Sequence, residues 1–530
     1  MEDRYDKDGT YKWFLTDSYG RLKPQQIGIY AGTGFGKSLS GAGIVEAFFD
    51  YGATCFYLGD GMKDEEEGAY GMFLPMEKFH LKILQNEGKT PRKVPVRLHH
   101  AFTFNLPKSE IPNYEVFTIP VKDLNRSEYS MLAETQADSD TIRILIQSAK
   151  NLNKSDGVYK LLHEVQDLVK GKKLGEGHSP SSKNFFLSVT SGTAKSMQDV
   201  SNLFQPFKED YFLVDKNCKY NLNFQELIND NKNIHYFSTK YLKDPKMKEF
   251  LILLLLNKII EAKDYAKYPV LIYIPEIRKL CPDRAYGYQK YLSEGIKNAL
   301  STMRNIGKGY SSITDSQNFS DTSQEIRDSH SITLLGKLSL TDIDRVAKIR
   351  SYSGNIKDDL ANPQQNSWLI LGNESQGGIH FCFPSWAHPE PNYKFNEMFK
   401  KFYPEKMTSF SDMIDEMLEK LKSEEEFFKE KAVKQIEAER ISKKRKELKK
   451  TENKTPKTPP KELKEEVLIK DYERAYNLRV VKKMTLKEAG DLLGVGKDTI
   501  NRWTKKYKAI LRKNELTDSS TEPEKSPQNG

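Results

Sequence analysis

The chain has 530 residues, with 83 Lys and Arg against 74 Asp and Glu and a formal net charge of +9. That length accommodates one large domain or two to three ordinary ones, and 37% hydrophobic residues are enough for a substantial core. The four cysteines (Cys55, Cys218, Cys281, Cys382) lie far apart with no Cys-x-x-Cys pair, which argues against a metal cluster or disulfide framework and for a reducing, cytoplasmic setting. No apolar signal segment opens the sequence, and the most apolar run, Phe250 to Leu256, is too short to cross a bilayer, so no membrane insertion is expected.

About 25 residues precede a short apolar run, Ile27 to Tyr30, that leads into Ala31-Gly32-Thr33-Gly34-Phe35-Gly36-Lys37-Ser38. Helical spacing follows from Leu39 to Phe49, giving the strand, loop and helix order of a P-loop. Gly32, Gly34 and Gly36 let successive backbone N–H groups turn inward around a phosphate with no Cβ in the way. Those donors stand at a helix N-terminus, where the dipole also favours an anion. Lys37 is then expected on the β- and γ-phosphates of ATP and the Ser38 hydroxyl on Mg²⁺, with Thr33 and Phe35 completing the loop.

A second strand, Thr54 to Asp60, ends in a carboxylate. Residues 63–232 are irregular and charged and read as a mixed subdomain inserted between core strands, with β-like pieces at Val94 to Phe104 and Glu115 to Val121. The core pattern resumes with Ile234 to Phe237, an apolar helix from Lys246 to Ala262, and the continuous apolar strand Val270 to Ile274 leading into Pro275-Glu276. Strands buried on both faces read this way in parallel sheets. A polar helix (Tyr286 to Met303), a strand from Gly309 to Gln317, and strands at Ser331 to Lys337, Ser367 to Gly372 and Gly378 to Phe383 follow. The alternation predicts an α/β fold: a P-loop NTPase core over residues 1–400 with a mainly parallel, RecA-like sheet. Residues 405–450, dense in Glu and Lys, read as a charged helical stalk, and 451–464, rich in Pro and Lys, as a flexible linker. A helical module is expected over 465–514 and a disordered polar tail over 515–530.

Hydrolysis needs a carboxylate that orients or activates water, and Glu276, at the C-terminal end of a buried strand, stands where ligands gather in open α/β sheets. Gln317 also follows a strand and could sense the γ-phosphate or the attacking water; Arg304, Arg327, Arg345 and Arg350 are candidate arginine fingers acting across a subunit interface. The series AGTGFGKS (31–38), CFYLGDG (55–61), LIYIPEIRKL (271–280) and RNIGKGYSSITDSQNFSD (304–321) resembles the HerA/FtsK superfamily of hexameric DNA-pumping motors over residues 25–390, the insertion excepted. The resemblance implies a ring-forming, Mg²⁺-dependent ATPase with Asp60 near the metal, Glu276 and Gln317 catalytic, and Arg304 in the segment ahead of the sensor strand. It departs at Pro275, where the family carries an acidic residue that helps hold Mg²⁺, and the stretch before the P-loop is too short for the family's N-terminal β-barrel.

Residues 481–514 carry ten Lys and Arg against three acids, positive charge concentrated on one small segment. Thr485 and Glu488 form an N-capping pair, Gly494-Val495-Gly496 a tight turn, and Lys497 to Tyr507 a second helix. Ala489, Leu492, Val495, Ile500 and Trp503 are spaced to pack the two helices together, which resembles the helix-turn-helix of resolvases and small transcriptional regulators. Its outer face would offer Lys497, Asp498, Thr499, Asn501, Arg502 and Lys505 to double-stranded DNA. The reading is an ATP-driven DNA translocase, a homohexameric ring of a mobile element serving viral genome packaging or plasmid transfer. The alternatives are a nucleotide-switched DNA-binding regulator or partition protein with little hydrolysis, and a protein-remodelling or secretion ATPase.

Overall fold

The computed structural model describes residues 15–59, 94–107, 111–130 (113 apart), parts of 149–161, 210–306, 309–349, 356–361, 367–372, 376–380, 407–423 and 461–518, with a few single positions between. Two compact units divide the chain, Met1–Lys429 and Glu430–Gly530.

The first unit is built on a ten-stranded sheet among the described residues. Its strands are β1 (Gln26–Tyr30), β2 (Thr54–Leu58), β3 (Val96–Ala101), β4 (Tyr114–Phe117), β5 (Ile234–Ser238), β6 (Val270–Ile274), β7 (Tyr310–Ser316), β8 (Ile332–Leu335), β9 (Ser367–Gly372) and β10 (Gln376–His380). They lie in the order β10-β9-β8-β1-β7-β6-β2-β5-β3-β4. Seven neighbouring pairs are parallel, and only β8–β9 and β9–β10, at one edge, are antiparallel. Every residue of β1, β2, β5, β6 and β7 is buried, as strands covered on both faces must be.

Three helices do the covering: α1 (Lys37–Asp50), α2 (Pro245–Glu261) and α4 (Tyr288–Ile306), with the four-residue α3 (Ile277–Leu280) between the last two. α1 lies over β1, β2, β6 and β7, and α4 packs on α2 and β7. The two faces can be told apart along β7. The Asp315 side chain is met by Tyr273, whose hydroxyl touches α1 at Gly41, whereas the Tyr310 hydroxyl donates to the Ile259 carbonyl of α2 at 3.3 Å. Positions 310 and 315 differ in parity, so α1 and α2 sit on opposite sides of the sheet. α2 begins sharply because Asp244 caps it, accepting from the Lys246 N–H at 2.7 Å, with Pro245 in its first turn. Its run Phe250–Leu256 is wholly buried.

Two parts of the chain sit differently from their sequence pattern. Within 63–232, β3 and β4 extend the main sheet beyond β5, so this stretch adds to the core instead of forming only a separate subdomain. The charged segment also starts docked: in the helix over 411–423, Ile414, Met417 and Leu421, with Phe410 just ahead, are buried in the same core as the sheet. Their i, i+3, i+7 spacing makes a narrow apolar stripe that the surrounding Glu and Lys obscure in the sequence.

Beyond α5 (Gln324–Ser329) and α6 (Leu340–Ile349) of the first unit, the second unit packs α7 (Lys461–Tyr476), α8 (Leu486–Leu493) and α9 (Lys497–Asp518) around Ala475, Ala489 and Ile500. Thr485 and Glu488 form the capping box expected of them, and Gly494 ends α8 at φ 67°. Gly490 allows the close crossing, since a Cβ there would lie 2.6 Å from the Val495 carbonyl. Leu492, expected in this core, is 65% exposed. With α8 starting at Leu486, the inward stripe runs 486, 489, 490 and 493, which turns position 492 outward.

Candidate nucleotide-binding site

The loop from Ala31 to Gly36 joins β1 to α1 and is pinned from behind. Ala31 N–H donates to the Ser316 carbonyl at 3.3 Å and Gly32 N–H to the Lys337 carbonyl at 2.7 Å. Phe35 is buried, its ring 5.2 Å from that of Trp368, and it presses so closely on Gly336 that a Cβ there would come within 2.3 Å of it. Gly34 and Gly36 take φ of 79° and 94°, conformations open to glycine at little cost. Gly36 caps α1 without any side-chain hydrogen bond, and no acid lies in the first turn, so the protein itself leaves the positive end of this 14-residue helix for an anion. Thr33, Gly34 and Ser38 are exposed at the rim, while Gly32 and Gly36 are half-buried.

Lys37 is buried beneath this rim. Burial pulls its ammonium below the ordinary lysine value, and the charges of Asp315 and then Glu276 pull it back up. Both carboxylates come from the C-terminal ends of strands near β1: β7 lies next to it and β6 one further on. Asp315 is buried, which pushes its carboxyl up to about 6, with Glu276 adding to the rise and the Tyr273 hydroxyl and the Lys37 charge opposing it.

Glu276 takes φ 49° and ψ 45° two residues after the end of β6. Only one other described non-glycine residue, Lys483, has positive φ. Such a conformation costs about 1–3 kcal/mol and persists where surrounding contacts impose it. Here the Glu276 N–H donates to Asp315 Oδ1 at 3.0 Å, which fixes the turn. The side chain then joins a closed triangle: Arg278 Nε donates to Glu276 Oε2 at 3.2 Å, Gln317 Nε2 to Glu276 Oε1 at 3.4 Å, and Arg278 Nη2 to Gln317 Oε1 at 2.9 Å. Arg278 Nη1 also reaches Asp321 Oδ2 at 3.3 Å.

Of the residues picked from the sequence, the structure therefore brings together the loop, Lys37, Ser38, Glu276 and Gln317. Arg304 is exposed in the last turn of α4, before the start of β7, and the seven-residue strand puts it about 20 Å from Gln317. Arg327 is buried, its guanidinium donating to the carbonyls of Phe319, Ser320 and Thr322, a structural placement that rules it out as a finger. Arg345 is tied to Asp283 at 3.7 Å and to the Ser320 carbonyl. Asp60 and Arg350 lie outside the described residues. Sequence reasoning passed over Asp315, Arg278 and Tyr273. The one available signal for Asp315 was a lone carboxylate near the end of a strand otherwise made of hydroxyl and apolar residues.

Among the described residues no group of three or more His, Cys, Asp or Glu forms a cage for a metal. Mg²⁺ keeps much of its water and is held by one or two carboxylates together with substrate phosphates. Ser38 at the helix N-terminus and the carboxylates of Asp315 and Glu276 make a donor set that fits the ion.

In the second unit, Lys497, Asn501, Arg502 and Lys505 are exposed and Thr499 is half-buried. Asn501, Arg502 and Lys505 line one shallow groove with Asp498, Lys506 and Ala509. No helix among the described residues is long and apolar enough to cross a membrane.

No protein-family model matches the chain, and no curated protein does. Solved structures resemble it. The plasmid coupling protein TrwB with a non-hydrolysable ATP analogue is 11% identical with a TM-score of 0.45, covering 73% of this chain and 94% of that one. VirB4 of Thermoanaerobacter pseudethanolicus is 13% identical at a TM-score of 0.41, covering 67% and 89%. The genome packaging NTPase B204 of Sulfolobus turreted icosahedral virus 2 is 16% identical at 0.23, covering 30% and 71%. The assignment as an α/β protein with a mainly parallel sheet and a P-loop between β1 and α1 rests on the strand order and loop geometry described above.

Proposed function

We propose that the chain is an ATPase of the HerA/FtsK type that moves double-stranded DNA as a homohexameric ring in the cytoplasm. The observation that carries this reading is Glu276, set in a left-handed turn at the end of β6 and tied to Gln317 while Lys37 lies under the glycine loop. The loop N–H groups and the α1 N-terminus bind the phosphates, and Lys37 neutralises charge on the β- and γ-positions. Glu276 orients water and accepts its proton, and Gln317, bonded to it, reports the γ-phosphate. Ser38 and the nearby carboxylates would hold Mg²⁺, which when bound would offset the negative charge of the phosphates. Arg304, remote from the nucleotide of its own subunit, would act on a neighbour's.

The module over α8 and α9 is proposed to read duplex DNA as a helix-turn-helix through Lys497, Thr499, Asn501, Arg502 and Lys505, supported by the exposure of Lys497, Asn501, Arg502 and Lys505 on one helix with Thr499 half-buried among them. A DNA-reading module joined to such a motor suits a mobile element that packages a genome or transfers a plasmid. The deciding experiment measures ATP turnover by the full chain with and without duplex DNA, alongside its mass by light scattering. DNA-stimulated hydrolysis in a species of six chains is expected. A monomer or dimer that binds ATP and does not turn it over would replace this reading with the nucleotide-switched regulator, a possibility raised by the proline at position 275.

A further inference from the structure

Pro275 interrupts an otherwise intact motif, and the sheet register shows what stands beside it. β6 and β7 run parallel with Thr314 opposite Ile274, so one step further sets Asp315 opposite Pro275. Partners on adjacent parallel strands lie about 4.8 Å apart and project to the same face of the sheet. That face is the one under the P-loop helix. Tyr273, two residues before Pro275, directs its hydroxyl to the Asp315 carboxylate, and a Cβ on Gly41 of α1 would lie 2.5 Å from the same hydroxyl. On its other side, β7 places Asp315 opposite Ile29 of β1, two residues before the loop begins.

The carboxylate is only 1% exposed, a placement that is costly for a charge without a cation to offset it. Its two hydrogen-bond donors, the Tyr273 hydroxyl and the Glu276 N–H, are neutral and fill two of about four acceptor positions. Lys37 is the nearby protein cation, and in a P-loop the lysine is drawn to phosphate when nucleotide binds.

We propose that Asp315 supplies, from the neighbouring strand, the negative charge toward Mg²⁺ that Pro275 cannot provide, while its Oδ1 holds the Glu276 turn. The inference rests on the nucleotide-site reading above and deepens it. Asp315 is thus a positioning residue for the ion and for Glu276, and its loss registers in metal dependence before it registers in fold.

The test uses the full chain and a fluorescent ATP analogue titrated at increasing Mg²⁺, with Mn²⁺ binding to the ADP complex followed by electron paramagnetic resonance. Asp315→Asn keeps the acceptor for the Glu276 N–H and removes the charge. It should bind the metal-free analogue at least as tightly as wild type, yet need about 10–100-fold more Mg²⁺ for half-maximal tightening, with Mn²⁺ affinity falling in parallel. Adding Pro275→Asp should restore most of that loss, which a purely structural role for Asp315 would not permit. An unchanged Mg²⁺ dependence in Asp315→Asn, or no restoration by Pro275→Asp, overturns the inference and leaves the nucleotide site standing. Failure of the wild-type chain to bind the analogue, or equal binding by Lys37→Ala, overturns the nucleotide-site reading and this inference with it. Should Asp315→Asn lose the wild-type circular dichroism spectrum, Asp315→Ser takes its place with the same expected shift and the same refutation.

Discussion

Replacing Glu276 by Gln separates the chemistry proposed for this side chain from its place in the fold. The side chain is 19% exposed, and its charged partner, Arg278, is 24% exposed, so the ion pair between them is partly screened and contributes about 1 kcal/mol at most. Gln keeps the length of the side chain, an oxygen for Arg278 and the backbone N–H that Asp315 accepts from, so the left-handed turn is strained equally in both proteins. Stability should therefore change by no more than about 1 kcal/mol, and ATP affinity by less than about tenfold. A positioned general base contributes about 10²–10⁴-fold, equivalent to about 3–5 kcal/mol of barrier. The expected result is a variant that folds, binds ATP and retains it, with turnover lowered by at least two orders of magnitude. Urea unfolding midpoints, affinity for a fluorescent ATP analogue and steady-state phosphate release, with and without duplex DNA, give the three quantities. Turnover within tenfold of wild type, or a stability loss as large as the loss in barrier, would show that Glu276 is a structural member of the Arg278–Gln317 triangle and nothing more.

Three further outcomes follow from other contacts. Gly336→Ala would bring a Cβ within 2.3 Å of Phe35 and 2.8 Å of Ala31, so the loop must shift; ATP affinity should fall together with a stability loss of about 1–3 kcal/mol, and wild-type affinity in a calorimetric titration would show that the loop tolerates the move. His100 is held near a pKa of about 4, chiefly by burial, and it accepts the Tyr241 N–H at Nε2, a role open only to the neutral ring. Because the unfolded chain takes up the proton first, at about 6.5, the stability that neutral His100 provides is present above pH 6.5 and lost as pH falls toward 4. Between pH 7 and pH 5 wild type should lose about 2 kcal/mol more than His100→Gln in urea unfolding, and identical pH responses would refute this. Lys505→Ala on the exposed groove of α9 should weaken duplex DNA binding about equally across sequences and reduce the slope of log affinity against log salt by about one, measured by fluorescence anisotropy; an unchanged slope would remove Lys505 from the phosphate contacts.

Features that depend on neighbouring residues in the chain were determined by the sequence alone. The P-loop is contiguous, so its glycines, Lys37 and Ser38 announce a phosphate site before any tertiary contact is known. The same holds for the apolar strand β6, for the capping box of Thr485 and Glu488, and for the expectation that Glu276 and Gln317 stand at strand ends. Tertiary structure decided what depends on which strand lies beside which. Asp315 is an unremarked residue until β7 is inserted between β1 and β6, in a register that sets it against Pro275 and beneath α1. The triangle of Glu276, Arg278 and Gln317 joins positions up to 41 residues apart, and its closure depends on the same pairing. Leu492 shows the converse: its apolar character suggested a core position, and the starting point of α8 turned it to solvent. Moving one strand by a single residue exchanges the faces of all its side chains, so the identity of a site residue supplied from a neighbouring strand is a property of register, which no local pattern encodes.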